Sequence, residues 1–587
     1  MSVGITNQFR SLIPFAHPLP ILYNAHLMIE STDSPDVNTQ PVFTAVEMPL
    51  PTSPKNLGAD RGVVRAAAVL AVGNIASRVL GLVREIVKSN LYGTSPLLAA
   101  FTVATLAPMT LFNLISGGEM VSSSLVPVFS DYASREKRAE LWRLGSAVLS
   151  LATFVLCLIM VLVELFAEQV AWLAGARNFS DPALFQVTVD LMRLATPAVL
   201  LLSIASVLSG LLFALKRFTY PAFTSAVFNG AIVVVALLRP DQITSLVWGM
   251  LLGSALQIAI QLPGLHDGRF HWRLDWRHPA VRRIVILYTP ILAGLVVNQI
   301  AIWISYRLAI LTGDNSVTYM TYATTLYQFP LGLVVTALSL ATLPTLSQIA
   351  SSIQAAKLVD PQAAAAWVEE FKATLAGGIR LVVALLLPAG TGLFALAPFI
   401  VALLLEHGRF TAADSEITTH VLRFYLVGLA FAGIDQMLVF ASYARQDTWR
   451  PALAGVLAIG VYTATAVLLL PSMGLFSLMI ADAVKHIVHT LIMLWFLQRQ
   501  LGGLHGYGII RLAVKTIFAA VVTGVLALLV ADVAAGFLPM ARFGGRLLVV
   551  LLGSAAGLGV YAGLVLLLDI PEVRALYNMA ISKIRRR

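Results

Sequence analysis

Apolar residues fill most of the chain in runs of about 20, which are separated by short polar stretches. A helix needs about 20 apolar residues to cross roughly 30 Å of hydrocarbon, so each run predicts one membrane-spanning helix. The predicted spans lie at approximately 64–90, 97–128, 144–174, 184–214, 221–238, 243–263, 284–311, 317–347, 373–405, 418–443, 452–470, 475–497, 512–533 and 544–568. The pattern therefore predicts an all-α polytopic membrane protein with about 14 transmembrane helices.

A weak internal repeat relates the first six spans to the next six. Residues 213–221, after span 4, resemble residues 440–451, after span 10, and Pro127 in span 2 corresponds to Pro344 in span 8. Two pseudo-symmetric six-helix lobes around a cavity are common among transporters. The alternative is that proline simply begins helices after basic loops. The repeat predicts a first lobe at 64–263, a second at 284–497 and two C-terminal helices at 512–568.

Basic residues predict the orientation of the spans. Loops after the even-numbered spans carry about 17 lysines and arginines, whereas the opposite loops carry few. Cytoplasmic loops are enriched in basic residues, so both termini are expected in the cytoplasm. The proline-rich residues 1–60 predict a disordered cytoplasmic tail, and residues 569–587 predict a basic one. This pattern predicts a multi-pass membrane protein with both termini on the cytoplasmic side.

Composition and the lack of enzyme motifs argue against several other classes of protein. The chain is 58% hydrophobic and 12% charged, with a mean hydropathy of +0.83 and a net charge of +10. In a membrane protein this positive charge belongs to cytoplasmic loops, so no nucleic-acid partner is expected. The single cysteine, Cys157, excludes an internal disulfide. Phosphate-loop, zinc-protease and serine-hydrolase motifs do not occur, so we expect no enzyme, no cofactor and no metal site.

Arginines inside predicted spans are the first candidates for a binding site, because a charge at membrane depth is costly unless it is paired or hydrated. Arg78 and Arg84 lie in span 1, where Arg78 shares a helix face with Glu85. A guanidinium can donate two parallel hydrogen bonds to a diphosphate. Arg193 in span 4 and Arg307 in span 7 are candidates for the same cavity. The alternatives are ion pairs between helices and, for Arg84, a side chain that reaches to the membrane surface.

Span 12 carries the second concentration of ionisable residues. Asp482, Lys485, His486 and His489 occupy positions i, i+3, i+4 and i+7, which form one stripe on a helix. Such a stripe in the middle of a membrane could relay a proton or hold a coupling cation. The alternative is a polar seam packed against a neighbouring helix, with Asp435 of span 10 as its partner.

Short motifs along the chain resemble the MurJ/MviN lipid II flippases of the multidrug/oligosaccharidyl-lipid/polysaccharide exporter superfamily. The resemblance begins at Ser77-Arg-Val-Leu-Gly-Leu-Val-Arg-Glu85 and is collinear over about residues 64–568. Further matching motifs are Ser124-Leu-Val-Pro-Val-Phe-Ser-Asp-Tyr132, Lys216-Arg-Phe-Thr-Tyr-Pro-Ala-Phe223, Asn229, Gln261-Leu-Pro263, Gln328-Phe-Pro-Leu-Gly332, Leu343-Pro-Thr-Leu-Ser347, Gly408-Arg-Phe-Thr411 and Tyr443-Ala-Arg-Gln-Asp447.

The resemblance implies 14 helices in two lobes and a cationic central cavity for the diphosphate of undecaprenyl-linked peptidoglycan precursor. Arg78 and Arg84 correspond to two span-1 arginines of the family. Other positions differ from the family pattern, which makes Arg193, Arg307 or Lys485 candidates for the missing charge. The differing positions are Ala99 for an aspartate, Phe112 and Asn113 for a basic pair, Gly117 for an acidic residue with Glu119 two positions later, and Thr325 for an arginine.

The residues and the resemblance together predict a flippase of the bacterial cytoplasmic membrane that moves lipid II to the outer leaflet by alternating access. Its expected partners are a lipid-linked diphosphate sugar, membrane lipids and a coupling cation. Two alternatives are an exporter of another lipid-linked oligosaccharide or small cation, and a non-transporting scaffold for envelope synthesis. A transporter requires its buried charges, whereas a scaffold requires its loops and tail.

Overall fold

The computed structural model describes residues 61–574, and within this range the secondary structure is entirely helical. The predicted spans each coincide with one helix or one interrupted helix. These helices are α1 Arg61–Tyr92, α2 Pro96–Ser130, α3 Arg138–Leu165, α4 Pro182–Ala214, α5 Thr224–Leu238, α6 Thr244–Gln261, α7 Pro279–Ile310, α8 Ser316–Val359, α9 Pro361–Leu404, α10 Ala412–Leu426 continued by Leu429–Ala444, α11 Trp449–Met473, α12 Phe476–Leu501, α13 Ile509–Phe537 and α14 Phe543–Leu567.

The all-helical membrane fold predicted from the sequence is confirmed. Within residues 61–574, ten helices are long and apolar enough to cross a bilayer, or eleven when the two parts of α10 count as one span. The helices α1, α5 and α8 would complete a set of 14, and that number stays a prediction. The predicted tails at 1–60 and 575–587 lie outside the described residues, and the predicted lobe boundaries remain untested.

Proline and a capping side chain together determine where several helices begin. Ser95, Asp181 and Asp360 each accept a hydrogen bond from a backbone amide in the first turn of the following helix. Each of them precedes a proline, whose missing amide hydrogen costs nothing in a first turn. The start of α2, α4 and α9 is therefore encoded locally in the sequence.

The helices α2 and α10 are interrupted within the span. In α2 the backbone becomes extended at Gly117, and a π-helical turn covers Val121–Leu125. Pro127 lacks the amide hydrogen that would continue the α-helical bonding pattern, and a wider turn next to it accommodates that loss. The two parts of α10 meet at 44°. Such breaks leave backbone groups free to line a cavity.

The repeated segments at 213–221 and 440–451 form the same turn. Lys216 and Gln446 both adopt the left-handed conformation, with φ of 58° and 61°. In each copy the next amide bonds to the carbonyl five residues before it, from Arg217 to Leu212 and from Asp447 to Ser442. This is the Schellman pattern that ends a helix. The ends of α4 and α10 therefore share backbone geometry as well as sequence.

The last two helices pack on α9 and present apolar side chains outward. Gly553 of α14 approaches the backbone of Ala527 in α13, and the hydroxyl of Tyr561 donates to the carbonyl of Ala384 in α9. The outer face of α13 exposes Val514, Phe518 and other large apolar residues. An apolar face of this size is typical of contact with lipid chains.

Candidate functional site

Two adjoining cavities lie among the membrane-spanning helices. Cavity A has a volume of about 650 Å³ and cavity B a volume of about 350 Å³. Ile302, Tyr306 and Thr321 line both, so the two cavities are neighbouring compartments. Cavity A is bordered by α1, α7, α8, α10, α11 and α12, and cavity B by α1, α2, α5, α6, α7 and α8.

Arg78 of α1 lines cavity A. Its Nε donates a hydrogen bond to Asn74 Oδ1 at 3.2 Å, one helical turn earlier. The guanidinium lies against Gly332 of α8, so closely that a Cβ at residue 332 would be 2.4 Å from both terminal nitrogens. The absent side chain at Gly332 therefore provides the space that Arg78 occupies.

Arg84, Glu85 and Lys88 form a charged cluster in cavity B. Two nitrogens of Arg84 donate to Glu85 Oε1 at 2.7 and 2.9 Å, and Lys88 Nζ donates to Glu85 Oε2 at 2.8 Å. A third Arg84 nitrogen donates to Asn229 Oδ1 at 2.9 Å. Arg84 is thus held inside the protein, and the alternative that it reaches to the membrane surface is wrong for this structure. Lys88 was not among the candidates from the sequence, although its i, i+3 spacing from Glu85 was available as a signal.

The span-12 stripe faces cavity A on one side and α10 on the other. Lys485 donates a hydrogen bond to Asp482, and both line cavity A together with His486. His486 lies 3.7 Å from a carboxylate oxygen of Asp482 and 3.7 Å from one of Asp435. His489 hydrogen bonds to Asp435. The predicted residues therefore form one continuous chain of groups from the cavity to the α10–α12 interface.

The two cavities carry more positive than negative charge. Four basic side chains line them, against two carboxylates, which leaves two positive charges when histidine is neutral. These side chains are Arg78, Lys485, Arg84 and Lys88, with Asp482 and Glu85 as the carboxylates. Burying an unpaired charge is costly, so this excess would be stabilised by an anion that enters the cavities.

Arg193 and Arg307 lie elsewhere, which corrects the expectation that they line the same cavity. Arg193 is half exposed and lies 3.8 Å from Glu164 of α3, so the alternative of an ion pair between helices describes it better. The guanidinium of Arg307 lies over the ring of Trp172, 5.4 Å from its centroid. Neither side chain lines cavity A or cavity B in this conformation.

The positions that differ from the family pattern have ordinary roles here. Ala99 is fully buried, and Thr325 donates a hydrogen bond to the carbonyl of Thr321 in its own helix. Phe112 lines a separate cavity of about 730 Å³ among α2, α4, α5 and α6, while Asn113 lines cavity B. Lys88 of α1 and Lys485 of α12 line the cavities with positive charge.

Hydrogen bonds join the end of α1 and the loop after it to the start of α8 and the start of α10, at one end of the helices that border the cavities. The amide of Arg409 donates to Asn90 O at 3.0 Å, and Tyr322 donates to Gly93 O at 3.0 Å. Asp414 accepts hydrogen bonds from Thr94 at 2.5 Å and from Tyr319 at 2.9 Å. We call these contacts the latch.

Hydrogen bonds determine the protonation state of Asp414, the carboxyl group of the latch. Burial disfavours the ionised Asp414 carboxyl, but hydrogen bonds from Thr94, Thr411 and Tyr319 outweigh it and hold the pKa below its ordinary value. The carboxylate is therefore ionised while the latch is closed at neutral pH.

Comparisons with known proteins agree with this architecture. The family model described as "Lipid II flippase MurJ" matches residues 88–543. A probable lipid II flippase MurJ of Bdellovibrio bacteriovorus is 27% identical over 466 residues, covering 78% of this chain and 86% of the relative. The lipid II flippase MurJ of Burkholderia cenocepacia is 27% identical, covering 68% and 76%.

The fold is also found among solved structures. A structure of lipid II flippase MurJ in an inward closed conformation superposes with a TM-score of 0.68, covering 85% of this chain and 99% of that one at 20% identity. This likeness concerns the fold, whereas the family model matches more than half of the sequence. The chain belongs to the lipid II flippase MurJ family.

Proposed function

We propose that this protein moves lipid II from the inner to the outer leaflet of the bacterial cytoplasmic membrane. The observation that carries the proposal is the excess of two positive charges in cavities A and B of a chain that belongs to this family. The diphosphate of lipid II is a dianion, so its charge matches this excess. Charge-assisted hydrogen bonds from Arg78 and Lys485 would replace part of its hydration.

Alternating access requires an end that opens and closes around the bound headgroup. We propose that the latch closes the cavities at the end where residues 90–94 lie, because it joins α1, α8 and α10, which all border cavity A. We infer that this end faces outward and that both termini are cytoplasmic, in agreement with the excess of basic residues in the opposite loops. Opening the latch would then release the substrate to the outer leaflet.

The α12 network is our candidate for coupling transport to an ion. Asp482 and His486 border the cavity, whereas Asp435 and His489 lie behind them. A proton or a small cation could therefore pass between the cavity and the α10–α12 interface without leaving polar groups. Lys485 donates a hydrogen bond to Asp482, and both side chains line cavity A. Binding of an ion to Asp482 would therefore also change the charge of the cavity wall that contacts the substrate.

Complementation tests the proposed function. A bacterium depleted of its own lipid II flippase is given this chain, and growth is compared with the amount of protein in the membrane. We expect growth to be restored. A chain that inserts and accumulates normally without restoring growth would contradict lipid II as the substrate, and would favour another lipid-linked oligosaccharide.

A further inference from the structure

The connection between α6 and α7 contains an extended segment with an unusual alternation. Residues 269–277 read Arg-Phe-His-Trp-Arg-Leu-Asp-Trp-Arg, so every second position from 270 to 276 is apolar or aromatic. The structure places no helix over these residues. Alternate side chains of an extended chain point to opposite sides, so the segment has one apolar and one mainly basic side. We call residues 269–277 the linker segment.

Two hydrogen bonds fasten the linker segment along α3. The amide of His271 donates to Ser146 Oγ at 3.2 Å, and the amide of Arg273 donates to Ser150 Oγ at 2.9 Å. Four residues of helix and two residues of extended chain both advance about 6 to 7 Å, so the two spacings match. Phe270 also contacts the ring of Trp142 in α3, with centroids 5.6 Å apart. The segment therefore follows the axis of a membrane-spanning helix.

The apolar side of the linker segment is uncovered. Phe270, Trp272, Leu274 and Trp276 are 36%, 65%, 47% and 68% exposed. Two tryptophans exposed this far in one short segment are costly in water but favourable at the boundary between headgroups and acyl chains. The α3 helix that carries the segment exposes Phe154, Leu158 and Leu162 further along, which indicates that lipid surrounds it there.

The same segment is strongly basic. Arg269, Arg273 and Arg277 are exposed, and Asp275 is its one carboxylate, 4.0 Å from Arg273. The neighbouring Asp267 is already paired with Arg217 at 2.8 Å. The segment therefore keeps a net charge of +2 when His271 is neutral, which attracts an anion beside the exposed tryptophans.

We propose that the linker segment is an interfacial binding site for anionic phospholipid headgroups. The tryptophans would lie at the headgroup level while Arg273 and Arg277 contact lipid phosphates. Because the segment joins α6 to α7 and is fastened to α3, a bound lipid would fix the depth of this connection in the membrane. The occupant is a lipid of the surrounding leaflet, which Trp272 and Trp276 favour over a soluble acidic protein.

The test measures lipid binding by the purified full-length chain. Native mass spectrometry would count bound phosphatidylglycerol and phosphatidylcholine on the wild type and on the Arg273→Gln/Arg277→Gln double variant. Each basic residue near an anionic surface contributes a factor of about 5, so the double variant should bind phosphatidylglycerol roughly 25-fold more weakly. Binding of phosphatidylcholine should not change. Arg273→Lys/Arg277→Lys should retain most of the binding because it keeps the charge.

The matched control is Arg177→Gln/Arg239→Gln, which removes two exposed arginines from the opposite loops. It should bind phosphatidylglycerol like the wild type. Brominated phosphatidylglycerol should also quench a smaller fraction of the tryptophan fluorescence in Trp272→Ser/Trp276→Ser than in the wild type. Equal binding of phosphatidylglycerol by Arg273→Gln/Arg277→Gln and Arg177→Gln/Arg239→Gln would overturn the proposal. So would an acidic soluble protein bound by the linker segment in place of lipid.

Discussion

At the scale of single residues, the positive charge of cavities A and B comes from a few long cationic side chains, which need space among the helices. Arg78 is the clearest case, because Gly332 of α8 leaves room for its guanidinium. The sequence predicted Arg78 as a cavity residue, and the structure places it there. It could not predict the role of Gly332, since the contact joins residues that are far apart in the chain.

The first prediction concerns this contact. In Gly332→Ala the new methyl group would lie 2.4 Å from the Arg78 guanidinium, so the flexible arginine must move. A misplaced charge-assisted hydrogen bond should lower lipid II flipping by about tenfold. Gly294→Ala in α7 is the control, because the new methyl group meets no atom within 4 Å. Equal flipping by the two variants, measured at equal protein amounts, would rule out the positioning role.

The second prediction concerns the coupling network. Asp482→Asn keeps the shape of the side chain but removes the charge shared with Lys485 and His486. We expect transport to fall and its dependence on pH or sodium to change while the protein still accumulates. If the network is only structural, the amount of protein should fall instead, because Lys485 loses its partner. Asp532→Asn in α13 is the control, since that carboxylate is exposed and distant from the cavities.

Where a helix period placed charges on one face, the structure brings those side chains into contact, and their role in transport stays a prediction. The stripe from Asp482 to His489 forms one network, and Asp435 joins it as the packing alternative indicated. Periodicity gave no information on which neighbouring helix a charge meets. Arg193 and Arg307 were therefore assigned to the cavity although Glu164 and Trp172 hold them elsewhere.

At the scale of elements, the latch is the contact on which opening depends. Gly93 and Gly408 both have a φ of 59°, and the chain bends there so closely that a Cβ at either would meet opposing atoms at 2.5 Å or less. Asp414 adds the side-chain hydrogen bonds from Thr94 and Tyr319. Its lowered pKa means that the closed latch favours the ionised carboxylate.

The third prediction follows from the sign of this shift. A carboxyl whose pKa is lowered in the closed state stabilises that state above its ordinary pKa, and the contribution is lost as the pH falls through the lowered value. We expect Asp414→Asn to favour the open latch at neutral pH, and in the unaltered chain only an external pH below the ordinary value of 3.8 to have the same effect. The readout is external labelling of Thr324→Cys, which lines cavity A, by an impermeant maleimide in a Cys157→Ser background.

Asp241→Asn is the control for the latch, because this carboxylate lies 4.0 Å from Arg409 at the same end and is highly exposed. It should label like its parent at every pH. Labelling of Thr324→Cys that stays unchanged in Asp414→Asn, compared with its parent at the same pH, would contradict the proposed closing role of Asp414.

Hydropathy located the elements because lipid contact requires continuous apolar runs, but it did not give their full lengths. The helix α8 continues to Val359, beyond the predicted end at 347, through polar residues such as Ser351 and Lys357. Those residues favour a helix without entering hydrocarbon, so an apolar criterion cannot detect them. The breaks in α2 and α10 depend on tertiary packing as well as on Gly117 and Gly428.

At the scale of the whole molecule, the fourth prediction concerns topology. Reporters fused after residue 140, after residue 275 and at the C-terminus should be cytoplasmic, and one near Asp314 should be external. The reason is the concentration of basic residues in the loops after even-numbered spans. Exchange of any two readings would contradict both the orientation of the latch and the count of 14 spans.

The central claim is that Arg78 binds the substrate diphosphate during transport. The most direct measurement is flipping of labelled lipid II by the purified chain in proteoliposomes, detected with an impermeant reagent. Loss of one charge-assisted contact costs about 1.5–3 kcal/mol, so Arg78→Ala should flip at least about tenfold more slowly. Arg78→Lys should recover only part of the rate because ammonium lacks the planar fork. Arg193→Ala should flip like the wild type, whereas wild-type flipping by Arg78→Ala would contradict the cationic-cavity mechanism.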